Sequence, residues 1–263
     1  MWDHPVRKRL QEGLPVLATT VTTANVEVAA HVATLGFHLL WVEMEHSPIT
    51  LETLRLMVLA TRGLPAAIFA RVPVNELWTA KRVMDQGVSG VMFPFTSTAE
   101  LAKQAAAACK YPPLGRRGAG ANLASATWPD TGNYHDSADR NGMVVTVVED
   151  RAGLENIDEI AATPGVDVIF IGTTDLSFSL GLRGQQDGPE HRESVAKIVA
   201  AAKRHGKFAG RPAASAEKIK EYMEQGFLFF QTATELGLLT AGARQLLEPF
   251  GLGGAPPKQK ALY

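Results

Sequence analysis

Four apolar runs in this chain end in residues that can do acid–base or ionic chemistry. LLWV leads into Glu43, Met44, Glu45 and His46; AAIFA leads into Arg71; VVTVV leads into Glu149 and Asp150; VDVIFIG leads into Thr173, Thr174 and Asp175. A carboxylate directly after a buried apolar run is costly unless it is paired or bound to a metal. Glu149 and Asp175, with waters and a chelating substrate, would make an oxygen-rich, roughly octahedral site for Mg²⁺ or Mn²⁺, with Co²⁺ also suited. The plainer alternative for either acid is to cap a following helix or to pair with a lysine. Glu149 is the expected ligand rather than Asp150, because strand alternation aims it the same way as Val147 and Val145.

The other polar residues of these runs divide in the same manner. Arg71 can clamp a carboxylate through two parallel hydrogen bonds, or it can serve an ion pair with Glu43 or Glu45; the two roles are compatible. His46 titrates near neutrality and suits general-base work. Against that stand a histidine simply hydrogen-bonded in place and a third metal ligand. Gly172 in IGTTD would let the backbone approach a small substrate, with the amides of Thr174 and Asp175 donating to its carboxylate. A tight turn would explain the same residues. GRRGAGAN at 115–122 lacks the preceding strand and the lysine of a phosphate loop. No lysine ends an apolar run, which argues against Schiff-base chemistry.

The elements that must position these residues are the runs themselves, which read as strands buried on both faces. A helix, a glycine and a buried strand recur four times, in LGFHLLWVE, QGVSGVMFP, PGVDVIFIG and QGFLFFQTA, with Gly36, Gly87, Gly165 and Gly226 at the junctions. Further strands are expected near 16–22, 66–72, 144–149 and 207–212. Eight strands alternating with helices in 263 residues match a (β/α)8 barrel. The expectation is a single barrel domain over 1–263, with a short N-terminal helix, a C-terminal helix and an irregular tail over about 251–263. Ligands bind at the carboxyl ends of the strands in such folds, which would gather His46, Arg71, Glu149 and Asp175 on one rim. The stretch from Tyr111 to Asn141, rich in Pro, Gly and Asn, is expected to be a long loop.

Composition narrows the partners. Lys and Arg number 26 against 27 Asp and Glu, for a net charge of −1, and no basic stripe suggests nucleic acid. No 18-residue apolar stretch suggests a membrane span. The single cysteine, Cys109, excludes an internal disulfide and fits a cytoplasmic protein.

Five ordered segments, spread over about residues 5–250, resemble the HpcH/HpaI class II pyruvate aldolases. WVEMEHSP is similar to that family's D-x-E-H-[AS]-P segment, and FARVP to its arginine segment. KYPPLGRRGAGA is similar to Y-P-P-x-G-x-R-G, and VVED and FIGTTDLS to the segments carrying the metal acids. The resemblance implies His46 as catalytic histidine, Arg71 as substrate arginine, and Glu149 and Asp175 as metal ligands. It also implies that Asp85 orients the histidine across a subunit interface of a homohexamer. The implied reaction is reversible retro-aldol cleavage of a 4-hydroxy-2-oxo acid to pyruvate, or a pyruvate analogue, and an aldehyde. Val147, Thr173, Thr174, Glu43 and Glu235 depart from the family pattern and bear on the preferred donor and acceptor. Two alternatives stay open: an acyl-CoA lyase of the citramalyl or malyl type, with Arg116 and Arg117 for the CoA phosphates, and a non-catalytic oxo-acid-binding barrel.

Overall fold

The computed structural model describes residues 4–120, 122–128 and 132–252. Eight parallel strands form a closed barrel in sequence order: β1 (Val16–Val21), β2 (Leu39–Glu43), β3 (Ala67–Arg71), β4 (Gly90–Phe93), β5 (Met143–Val148), β6 (Val168–Ile171), β7 (Phe208–Pro212) and β8 (Phe227–Thr234). β8 closes onto β1. All eight expected strands are present within a residue or two.

Two apolar layers follow from the period of two along each strand. Leu39, Trp41, Phe69, Met92, Val145, Val147, Val168 and Phe170 fill the interior. Leu40, Val42, Ala70, Val91, Val144, Ile169 and Ile171 face the helices. A large apolar side chain of this kind contributes about 1.5–3 kcal/mol on full burial. An inserted or deleted residue in a strand would therefore swap both layers at once.

The helices among the described residues begin with α1 (Pro5–Gln11), α2 (Val26–Val32), α3 (Leu51–Ala60), α4 (Leu77–Met84) and α5 (Ala99–Cys109). They continue with α6 (Asn122–Thr127), α7 (Tyr134–Asn141), α8 (Arg151–Glu155), α9 (Ile157–Ala162) and α10 (Thr173–Ser179). α11 (Pro189–Arg204), α12 (Ala216–Glu224) and α13 (Glu235–Leu247) complete the set. Gly36, Gly87, Gly165 and Gly226 all have positive φ, between 86° and 102°, at the helix-to-strand junctions where the repeat placed them.

α1 lies across the amino end of the barrel. Val6 and Leu10 join the interior cluster, His4 packs edge-on against Phe69 with ring centroids 5.5 Å apart, and Arg7 pairs with Asp167 at 2.6 Å.

Two expectations need correction. The segment from Tyr111 to Asn141 is not a long loop, since it carries α6 and α7. They rest on Tyr111, Ala124, Trp128 and Ala138, with the Trp128 indole donating to the Gly87 carbonyl at 3.0 Å. Arg117 is not a surface cation. It is 1 % exposed, pairs with Asp85 at 3.0 Å and donates to the Tyr134 hydroxyl at 3.2 Å. The irregular tail expected from about 251 lies, from residue 253 onward, outside the described residues. No helix among the described residues is long and apolar enough to cross a membrane.

Candidate active site

The interior rows of four strands run on, at their carboxyl ends, into polar or small residues. Leu39 and Trp41 are followed by Glu43, Ala67 and Phe69 by Arg71, Val145 and Val147 by Glu149, and Val168 and Phe170 by Gly172. The β2–β3 register sets Glu43 beside Arg71. A cleft lined by Arg71, Glu149, Gly172, Thr174, Asp175 and Gln231 results, floored by Trp41 and Phe170.

Glu43 is fully buried and saturated with donors. It accepts from Arg71 Nε at 2.6 Å, from the Trp41 indole at 3.3 Å, and from the amides of Glu45 and His46 at 2.8 and 3.1 Å. A buried carboxylate is tolerated on such terms, and here it fixes both the arginine and the turn that carries the histidine. The Ser47 hydroxyl also donates to the Glu43 carbonyl, which closes that turn. Both pairings considered for Arg71 are therefore present, since Glu45 Oε2 lies 3.2 Å from its Nη1. Glu45 also approaches His46 Nε2 at 3.6 Å. Burial raises the Glu45 carboxyl above the usual range, opposed by Arg71 and His46. The His46 ring stands at the rim with its side chain 48 % exposed.

Glu149 is 3 % exposed and accepts from the Phe95 amide at 2.7 Å. Phe95 holds a φ of 45°, a left-handed conformation that costs a phenylalanine on the order of 1–3 kcal/mol. Burial pushes the Glu149 carboxyl up to about 7; the Phe95 amide and Arg71 oppose this, and the negative charges of Glu45 and Asp175 add to it. Gly172 has a tighter requirement than a turn: a Cβ there would lie 2.5 Å from Glu149 Oε2. The glycine makes room for the carboxylate. Asp150, the neighbour of Glu149, caps α8, accepting from the Gly153 amide at 2.7 Å.

Asp175 lies in the first turn of α10, half-buried, and Thr174 Oγ1 accepts from Gln186 at 3.2 Å. The first amides of a helix have no partners within it, so Thr174 and Asp175 suit the backbone role expected of them. Asp85 is not brought to this cleft within one chain. It ends α4, at the opposite end of the barrel from His46, and pairs with Arg117.

Glu43 and Glu45 pair with Arg71, and Glu149 and Asp175 line the same cleft; burial works against the charges of Glu45 and Glu149, a cost that a bound cation would relieve. Among the described residues no group of three or more His, Cys, Asp or Glu side chains is arranged to hold a metal unaided. Glu149 and Asp175 would leave the remaining positions to waters and substrate, and an all-oxygen donor set fits Mg²⁺ or Mn²⁺. The residues present fit a divalent cation.

Sequence reasoning missed Gln231 of β8, the Phe95 amide, and the link that Glu45 makes between Arg71 and His46. Gln231 carried a signal: it is a lone carboxamide closing the apolar run FLFF, and its Nε2 donates to Thr20 Oγ1 at 2.7 Å.

Residues 20–241 match the family model described as HpcH/HpaI aldolase/citrate lyase. A protein of Salmonella arizonae named 5-keto-4-deoxy-D-glucarate aldolase is 33 % identical over 234 residues, 89 % of each chain. One of the same name from Klebsiella pneumoniae is 34 % identical over 215 residues, 82 % of this chain and 84 % of that one. A crystal structure of a HpcH/HpaI aldolase/citrate lyase family protein from Burkholderia cenocepacia superposes with a TM-score of 0.86 at 30 % identity, covering 94 % of this chain and 98 % of that one.

Proposed function

This chain belongs to the HpcH/HpaI aldolase/citrate lyase family, a family of carbon–carbon lyases, and from that premise we propose that it is a divalent-metal-dependent class II aldolase. Its reaction is reversible cleavage of a 4-hydroxy-2-oxo acid to pyruvate, or a pyruvate analogue, and an aldehyde. The observation that carries this reading is the convergence of Glu149, Asp175 and Arg71 on one cleft. The name shared by the relatives from Salmonella and Klebsiella favours a sugar-derived oxo diacid as substrate.

Glu149 and Asp175 would hold the cation, with Gly172 keeping Glu149 in place. When bound, the cation supplies Lewis acidity toward a chelating 2-oxo acid. Arg71, fixed by Glu43 and Glu45, binds the substrate carboxylate and sets positive charge where negative charge develops during cleavage. The first amides of α10 add donors for the same carboxylate. His46 moves the proton, taking it from the 4-hydroxyl in cleavage and returning one to the methyl carbon of pyruvate. Asp85 would orient His46 only from a neighbouring copy, in keeping with a homohexamer. The acyl-CoA lyase reading loses support, because the ion-paired burial of Arg117 removes half of the basic pair suggested for CoA phosphates.

The test is pyruvate release from a panel of 4-hydroxy-2-oxo acids, with EDTA and after adding back Mg²⁺, Mn²⁺ or Co²⁺. Loss with chelator and recovery with metal are expected. Full activity in a metal-free preparation would overturn the metal-dependent reading.

A further inference from the structure

A cavity separate from the catalytic cleft opens among the described residues. It holds about 620 Å³ on the outside of the barrel, between α11 and α12, a volume ordinary for a small-molecule site. Arg211 of β7 lies in its wall. This side chain is 8 % exposed, with its guanidinium carbon 3.6 Å from the Tyr222 ring centroid and 5.3 Å from that of Phe227. Its Nε is buried without a hydrogen-bond partner, and among the described residues no carboxylate lies within ion-pair distance of Arg211. Two acids line the same wall, Asp187 and Glu221, the latter held by Lys218 at 2.7 Å, and neither forms an ion pair with Arg211. A largely buried guanidinium without an ion-pair partner is unfavourable by itself; burial works against its charge, opposed by Tyr222 and Glu221.

We propose that this cavity binds a small organic anion, a carboxylate or phosphate monoester on an apolar body, with Arg211 as its anchor. The guanidinium fork matches either head group through paired hydrogen bonds, and stacking on Tyr222 fixes its plane. Val195 and Val199 offer apolar surface to the body of the ligand, while Arg192 adds positive charge. The cavity shares hydrogen bonds with the catalytic helix. His191 Nε2 lies 3.0 Å from the Thr173 carbonyl oxygen, and Gln186, also in the wall, donates to Thr174 Oγ1. None of this depends on the aldolase reading.

Isothermal titration of the intact enzyme tests it, with phenyl phosphate and phenylacetate as probes and with inorganic phosphate and acetate as bare head groups. One equivalent of a phenyl probe should bind per chain at this site, more tightly than its bare head group, and the stronger of the two probes identifies the head group. Arg71→Ala should leave this binding in place, since the catalytic arginine is not involved. Arg211→Met should weaken it at least about tenfold, the factor expected for losing a charge-assisted hydrogen bond. Val199→Phe, which fills the cavity without touching the charge, should weaken it as well and serves where Arg211→Met fails to fold. No binding at millimolar probe, binding lost only in Arg71→Ala, or binding unchanged in Arg211→Met or Val199→Phe would overturn the proposal.

Discussion

Arg71 illustrates how much of the site is decided by single side chains. Its guanidinium is held by Glu43 and Glu45, so it is positioned before substrate arrives. A charge-assisted hydrogen bond contributes roughly 1.5–3 kcal/mol, so Arg71→Ala should lower kcat/KM at least about tenfold. Arg71→Lys should recover only part of this, because a point charge cannot hold both acids and the substrate; steady-state kinetics of the two variants decide. Gly172→Ala is a sharper probe. Its methyl group would meet Glu149 Oε2, so calorimetric Mn²⁺ affinity should fall about as far as in Glu149→Gln while the circular dichroism stays unchanged. Normal Mn²⁺ affinity in the Gly172→Ala protein would remove Glu149 from the metal site. His46 is tested by exchange of pyruvate methyl protons with deuterium oxide, followed by NMR without any aldehyde present. His46→Ala should slow this exchange about a hundredfold or more while pyruvate still binds. Normal exchange by a folded, metal-loaded variant would assign the proton to another group.

The residues legible in the sequence were those whose position on a strand dictates their direction. Glu149 continues the alternation of Val145 and Val147, and that alone distinguished it from Asp150. The roles of Gln231, the Phe95 amide and Glu45 depend on β8, the β4 end and the β2 turn meeting in space. No local pattern encodes that meeting. The requirement for Gly172 was hidden for the same reason, because the carboxylate that demands it comes from the neighbouring strand.

At the scale of elements, the strands were legible because each is a short apolar run bounded by glycine or charge. α6 and α7 were not. NLASAT and YHDSADRN show no apolar stripe, and their stability comes from Trp128 and the stacking of Arg117 on Tyr111 at 4.7 Å. α1 carries a prediction of its own. His4 caps it, accepting from the Val6 amide at 3.2 Å, and burial together with Arg7 lowers the imidazole to about 3. A histidine depressed in the folded state contributes stability above its unfolded value of about 6.5 and loses it as pH falls toward the folded value. At pH 4 the loss is on the order of 3 kcal/mol, enough for α1 to undock while the barrel persists. Hydrogen exchange of the 5–11 amides should accelerate between about pH 6.5 and 4 relative to those of β5 and β6. Equal protection at both pH values would exclude a docking role for neutral His4.

For the whole molecule, the barrel order, the two layers and the rim that gathers His46, Arg71, Glu149 and Asp175 could be read from eight runs and four glycines. The cavity at Arg211 could not, since it arises from two helices standing apart over a strand. The packed interior of the barrel also governs traffic. With Trp41, Phe69, Val147 and Phe170 filling the barrel beneath the rim, the cleft is a cul-de-sac, and everything that enters must return through the same mouth. On the proposed mechanism, the two fragments of a cleaved substrate should leave in single file, the fragment held at Glu149 and Arg71 waiting behind the one nearer the rim. Product inhibition should show that queue, with the inner fragment competing directly against substrate and the outer one not. Competitive inhibition by both fragments would mean that they pass each other and leave in either order.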